Sequence, residues 1–284
     1  MTALFRGRQA HRHEGQSIRV GELVVNLALK QLRSSYKNSV LGFGWSMISP
    51  IITIGVYAAV FSLILKGRAA AGDPSGLTSY GLFLAAGIIP WQFTQVAITA
   101  ETSSYVSNQA LIRKVYLPRW VFPASTLIAS FIEFLIELAA LIVILGIFWQ
   151  AWAVLWIPLL IPVLVLHFLF VLGVGLALAP LNALYRDVSH VVTLFTRLWF
   201  WLTPIIYPLS LIADENREIW GIPVETIYKI NPMLWFVLGY RALLFDLRAP
   251  ALTDFAGMAV SAALAMLIGV IAHSRLQDSI VDRI

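Results

Sequence analysis

Asn108-Gln109-Ala110-Leu111-Ile112-Arg113-Lys114-Val115-Tyr116-Leu117-Pro118-Arg119 is a charged interruption between two long apolar runs, too short and too polar to belong to either. Leu111, Ile112 and Val115 recur at helical spacing, Arg113 and Lys114 face away from them, and Pro118 stops the turn. The stretch predicts about two turns of helix at a membrane surface, apolar on one side and basic on the other. A membrane chain that only reversed direction there would use a polar loop. This one presents a knob.

The flanking runs set the class. Of 284 residues, 59% are hydrophobic and 12% charged, against about 45–50% and about 25% in soluble domains. The runs are continuous, unlike the alternating strands of a barrel, so the expected fold is an all-α integral membrane protein. Six spans are predicted at about 41–65, 80–100, 121–148, 153–180, 191–212 and 252–272, judged against the roughly 20 residues that cross the hydrocarbon. The third and fourth form a tight hairpin, and Pro50, Pro90, Pro158, Pro162 and Pro204 mark kinks within spans.

Three segments complete the plan. Residues 1–19 form a polar cytoplasmic arm with no apolar core, so no cleavable signal is expected. Across residues 20–38, Glu22, Asn26, Lys30, Arg33 and Lys37 make one stripe of a helix, with Val20, Val24, Leu27 and Ala28 on the other side. That pattern predicts an amphipathic helix in the headgroup region, or more plainly a solvated helix before the membrane. Residues 39–284 form the transmembrane domain. Between its last two spans, Asn231-Pro232 is a strong helix start. The apolar run to Phe245 is too short to cross, so a re-entrant or outer-mouth helix, possible as a lid, is expected.

Orientation follows Lys and Arg. Arg6, Arg8, Arg12, Arg19, Lys30, Arg33, Lys37, Arg113, Lys114, Arg119, Arg186, Arg275 and Arg283 fall on one side, against Lys66, Arg68, Arg217, Lys229, Arg241 and Arg248 on the other. The positive-inside rule places both termini and the knob in the cytoplasm. The basic excess suits topology and anionic lipid, not nucleic acid.

Several chemistries are absent from the sequence. There is no cysteine, no G-x-x-x-x-G-K-[ST] phosphate loop and no Gly-x-Ser-x-Gly elbow, and the five histidines lack metal-ligand spacing. No catalytic residue, metal or cofactor is assigned to this chain.

Charges inside spans need partners or water. Glu133 and Glu137 share a face, and Glu133 lies about 18 Å from Val121, near mid-membrane. His167 reaches a similar depth, whereas Glu101 and Arg197 lie nearer the cytoplasm. Structural pairs Glu133–His167 and Glu101–Arg197 are expected, with a proton relay as the lesser reading. Aromatic rings crowd two spans and are the candidates to line a pathway: Phe43, Trp45, Tyr57 and Phe61 in the first span, and Trp199, Phe200, Trp201 and Tyr207 in the fifth. Trp45, like Trp149, Trp152 and Trp156, fits an interface anchor better.

Several of these motifs occur together in one family. Tyr36-Lys37-Asn38-Ser39-Val40-Leu41-Gly42-Phe43-Gly44-Trp45 resembles the entry to the first span of ABC-2-type export permeases. Asn108 to Pro118 resembles their cytoplasmic loop, and Asn182-Ala183-Leu184-Tyr185-Arg186-Asp187 their turn after the fourth span. Trp201-Leu202-Thr203-Pro204-Ile205-Ile206-Tyr207 and Asn231-Pro232…Tyr240-Arg241 resemble their fifth span and outer segment. The likeness runs from Lys30 to the C-terminus and is closest to exporters of O-antigen, capsule and teichoic acid.

The resemblance implies a homodimer in the bacterial cytoplasmic membrane, with two copies of a separate ATPase subunit carrying ATP and Mg. Asn108, Leu111, Ile112, Arg113, Lys114, Val115, Tyr116 and Pro118 would form the coupling helix seated in that ATPase. The cargo would be a glycan on a polyprenyl phosphate or diphosphate, with Lys30, Arg33 and Lys37 placed to attract its phosphates. The first and fifth spans would line the path. A small amphiphile, such as a drug or lipid, is the alternative cargo. An intramembrane polyprenyl-phosphate sugar transferase would need clustered carboxylates at the membrane face, where Asp187 stands alone.

Overall fold

The computed structural model describes residues 20–34, 42, 44–60, 71–114, 117–148, 156–209, 218–219 and 222–280. They are almost entirely helical: α1 (residues 20–34), α2 (Gly44–Ala59), α3 (Tyr80–Thr102), α4 (Ser104–Ser107), α5 (Gln109–Ile112), α6 (Val121–Phe148), α7 (Ile157–Leu184), α8 (Val188–Trp201), α9 (Val224–Lys229), α10 (Pro232–Arg241) and α11 (Leu252–Leu276). The described strands are the two-residue pair β1 (Glu218–Ile219) and β2 (Ile222–Pro223), antiparallel before α9.

Among the described residues, four helices are long and apolar enough to cross a membrane: Tyr80–Thr102, Val121–Ile147, Pro158–Leu184 and Leu252–Leu276. They correspond to the second, third, fourth and sixth expected spans. The fourth begins at Ile157, later than expected, because Pro158 sits in its first turn, where proline lacks no needed N–H. The first expected span is described as the 16 residues of α2, about 24 Å of helix. The fifth differs more. Its helix ends at Trp201 after 14 residues, and Leu202 to Ile205 form turns around buried Pro204.

α3 is the axis of the bundle and the most buried of the four long helices. Ser79 caps its start by accepting from the Leu82 N–H. The main core gathers α3 side chains with Leu127, Phe134, Val163, Phe170, Phe236 and Tyr240. α7 and α11 form the most extensive helix pair. A Cβ at Gly269 would collide with the Gly173 carbonyl, and one at Gly173 with the backbone of Ala265 and Met266. Small residues let these backbones touch, which is how helices associate where lipid removes the hydrophobic drive.

The short helix between the last two spans is not a surface flap. Met233, Leu234, Phe236, Val237, Tyr240 and Arg241 are all buried. α10 packs on α3 and α11, then continues as a π-helical turn, Ala242–Asp246, that ends at left-handed Leu247. At the end of the bundle that carries α4 and α5, Tyr105, Phe122, Ala179, Ala183 and Ile280 make a second small core.

Candidate functional site

Where α8 breaks, its carbonyls lose their helical partners, and in the buried turn Thr203–Ile206 they need other donors. Side chains supply them. Arg241 donates to the Pro204 carbonyl at 2.7 Å and also to that of Ile205. Tyr80 O–H donates to the Ile206 carbonyl, and Asn231 Nδ2 to the Leu202 carbonyl at 3.1 Å. Asn231 Oδ1 accepts from the Met233 N–H at 3.1 Å, capping α10, and from the Trp199 indole at 2.8 Å. The Asn231-Pro232…Tyr240-Arg241 motif is thus the clamp on this break. Arg241 also lies 3.8 Å over the Phe83 ring, which suits a guanidinium held from water.

This clamp absorbs some residues expected on a pathway. Trp199 meets Trp91 edge-to-face at 5.4 Å, and Phe200 lies 5.9 Å from the same ring. Tyr207 O–H donates to the Trp201 carbonyl at 3.0 Å. Trp45 and Trp201 are exposed. Phe43 and Phe61 lie outside the described residues, as does the side chain of Tyr57.

The expected ion pairs are replaced by other contacts. His167 does not meet Glu133: its Nε2 lies 2.7 Å from Thr94 Oγ1 and its Nδ1 3.2 Å from Tyr240 O–H, with its ring stacked 4.6 Å from Phe236. Glu101 does not meet Arg197. Its carboxylate is fully buried on the other side of α3, both oxygens lack a hydrogen-bond partner, and it fills the space that a Cβ on Gly175 of α7 would take. No group of His, Asp and Glu among the described residues could hold a metal.

Arg197 instead opens onto a groove of about 660 Å³ between α3, α6 and α8, which it shares with Glu133 and Glu137. Gln92, Gln95, Thr99 and Ser103 line its α3 wall, and Phe93 and Phe134 stack at 4.6 Å beside it. A second cavity, about 1000 Å³ and almost wholly apolar, lies between α7, α8, α9 and α11.

The two-turn helix expected over Asn108–Arg119 is a single described turn, α5, joined to the preceding α4 at Asn108, whose Nδ2 donates to the Ser104 carbonyl at 2.9 Å. Leu111 and Ile112 pack inward on the small core with Leu27 and Leu117. The outward surface is therefore Ser107, Ala110, Arg113, Lys114 and Pro118, while Val115 and Tyr116 lie outside the described residues. Burial pushes the Tyr105 phenol above its ordinary range, with Arg119 opposing, and its O–H lies 3.3 Å from His273 Nδ1. Lys30 and Arg33 are exposed on α1, and Lys37 is outside the described residues.

The sequence places Asn182 in the turn motif after the fourth span but gives it no role. It is buried, and its Oδ1 accepts from the Ser189 N–H at 3.0 Å, so this residue, not Asp187, satisfies the start of α8. Its place six residues before the helix start, seven from the Ser189 N–H that it receives, carries no local capping signal.

The O-antigen export system permease protein RfbA of Myxococcus xanthus is 28% identical over 258 residues, covering 90% of this chain and 93% of that protein. The protein of that name from Klebsiella pneumoniae is 26% identical over 225 residues, covering 79% and 81%. The polysialic acid transport protein KpsM of Escherichia coli is 23% identical over 207 residues, covering 71% and 76%. The family described as ABC-2 type transporter matches residues 22–245, which includes the knob, the groove and the clamped break. The chain belongs to the ABC-2 type transporter family.

Proposed function

We propose that this chain is the membrane permease of an ATP-driven exporter that carries a lipid-linked polysaccharide out through the bacterial cytoplasmic membrane. Similarity to three permeases named for O-antigen and polysialic acid export, each across most of both chains, carries the reading. Two permeases pair, each with a separate ATPase subunit that holds ATP and Mg. The chain passes the membrane six times, at the four long helices, at α2 and at the broken α8. α1 lies at the inner surface, where Lys30 and Arg33 attract the carrier's phosphates, each charge worth about 1 kcal/mol near anionic lipid.

The coupling surface is the outward side of α4 and α5. Ser107, Ala110 and Lys114 lie at helical spacing and are exposed, while Leu111 and Ile112 tie the segment to the small core beside Ile280 and Leu27. A push on the knob is therefore delivered to α1, α6, α7 and the C-terminal turn together. The permease needs only two states that differ in their affinity for cargo.

Co-purification with the ATPase tests this. Ala110→Trp with Lys114→Glu is expected to abolish the complex while leaving the permease's melting temperature unchanged. A complex that survives both changes would sink the assignment. The large apolar cavity also favours a second reading, export of a small amphiphile. ATP hydrolysis stimulated by detergent-like drugs but not by lipid-linked glycan would select it.

A further inference from the structure

Three polar stripes meet at the groove between α3, α6 and α8. On α3 they are Gln92, Gln95, Thr99 and Ser103; on α6, Ser130, Glu133 and Glu137; on α8, Thr193 and Arg197. Steps of three and four place each set on one helix face. The neighbouring faces are apolar and exposed, as at Val143, Ile147, Leu194 and Leu198. Each charged group turned to lipid at mid-helix costs about 2.5–3.5 kcal/mol on insertion scales. A face that collects two carboxylates and a guanidinium inside such helices therefore looks onto water or polar cargo.

The groove has a direction. Ser103 and Thr193 lie toward the C-terminal end of α3 and the N-terminal end of α8, the ends that the positive-inside rule turns to the cytoplasm. Gln92 is about 15 Å from Thr102, and Glu137 about 24 Å from Val121, so the stripes reach mid-membrane. Beyond Gln92, α3 continues with Ile88, Ile89 and Trp91, all buried in the main core. The groove is a half-channel that begins on the inside and stops at the middle.

Its chemistry selects a ligand class. Amides and hydroxyls donate and accept, carboxylates accept from hydroxyls, and the stacked Phe93 and Phe134 offer an apolar surface for sugar C–H faces. Two carboxylates against one guanidinium disfavour phosphate, sulfate and uronate.

We propose that this groove is the inner half of the glycan track and binds an uncharged, hydroxyl-rich stretch of chain, with Gln92, Gln95 and Glu137 as hydroxyl partners and Arg197 on the facing wall. The assignment rests on the polysaccharide-export reading above. It moves the inner contact surface from the fifth-span aromatics to polar stripes on three helices.

The chain has no cysteine, so single cysteines can be read directly. In inside-out vesicles holding the full chain, Gln92→Cys, Gln95→Cys and Thr99→Cys are treated with a charged, membrane-impermeant methanethiosulfonate. Val143→Cys, on the apolar surface of α6, is the control. The groove positions are expected to react about tenfold faster or more than the control, as hydrated sites should beside a lipid-facing one. Maltohexaose is expected to slow them severalfold, and dextran sulfate to leave them unchanged. Labelling no faster than at Val143→Cys overturns the groove as an aqueous path, and rapid labelling that maltohexaose does not slow overturns it as a sugar site. Equal protection by dextran sulfate overturns the charge selection. Scoring ATPase co-assembly in the same vesicles keeps the two readings apart. Protection without co-assembly removes the exporter, and co-assembly without protection removes the groove.

Discussion

The two ends of the helix bundle use polar side chains for opposite purposes. Around the break after Trp201, Asn231, Arg241 and Tyr80 all turn to the chain's own carbonyls. Along the opposite stretch of α3, with α6 and α8, Gln92, Gln95, Glu137 and Arg197 turn to an open groove. Both sets sit where lipid makes polar groups costly. The first repairs the backbone, whereas the second lines an open groove. A polar residue inside a span is thus scaffold or contact surface according to what its helix faces, not according to its type.

Stability should divide the same way. Arg241→Met is expected to be the most damaging change, since it strips two carbonyls of charge-assisted bonds worth about 1.5–3 kcal/mol each. Thermal unfolding in detergent should fall steeply, and Arg241→Lys should recover only part of it, because an ammonium cannot fork to Pro204 and Ile205. A wild-type melting point for Arg241→Met would erase the contrast between the two ends.

Asn231→Ala comes next, at about 2 kcal/mol, from the lost cap of α10 and the orphaned Leu202 carbonyl. Hydrogen exchange should rise locally at Met233 and Leu234, and global loosening without that local signature would argue against the clamp. Glu137→Gln should be nearly silent in the melt, within about 0.5 kcal/mol, as expected where a side chain faces an open space. If it destabilised as much as Asn231→Ala, the groove would be structural too.

Much of this was legible before any fold was known. The limits of α3 and α6 follow from continuous apolar runs, and Asn231-Pro232 announced its helix because a cap acts on the next two or three residues. The knob was visible as a charged interruption, yet its orientation was not. Periodicity put Leu111 and Ile112 on one face but could not say that this face turns inward, because Leu27 and Ile280, which receive it, are far away in sequence. The expected pairs Glu133–His167 and Glu101–Arg197 failed for a related reason. Depth along each helix was estimated well enough, but two residues at one depth meet only if both helices are rotated toward each other.

The sequence by itself determined that the chain is helical and membrane-embedded, where most spans lie, and which residues carry charge into the bilayer, since these depend on composition and spacing within one segment. Tertiary structure alone decided that Arg241 serves a broken helix, that Glu101 rests against Gly175, and that three separate polar stripes share one groove. Those outcomes depend on the rotation and lateral order of helices, which are set by packing between segments that no local pattern encodes.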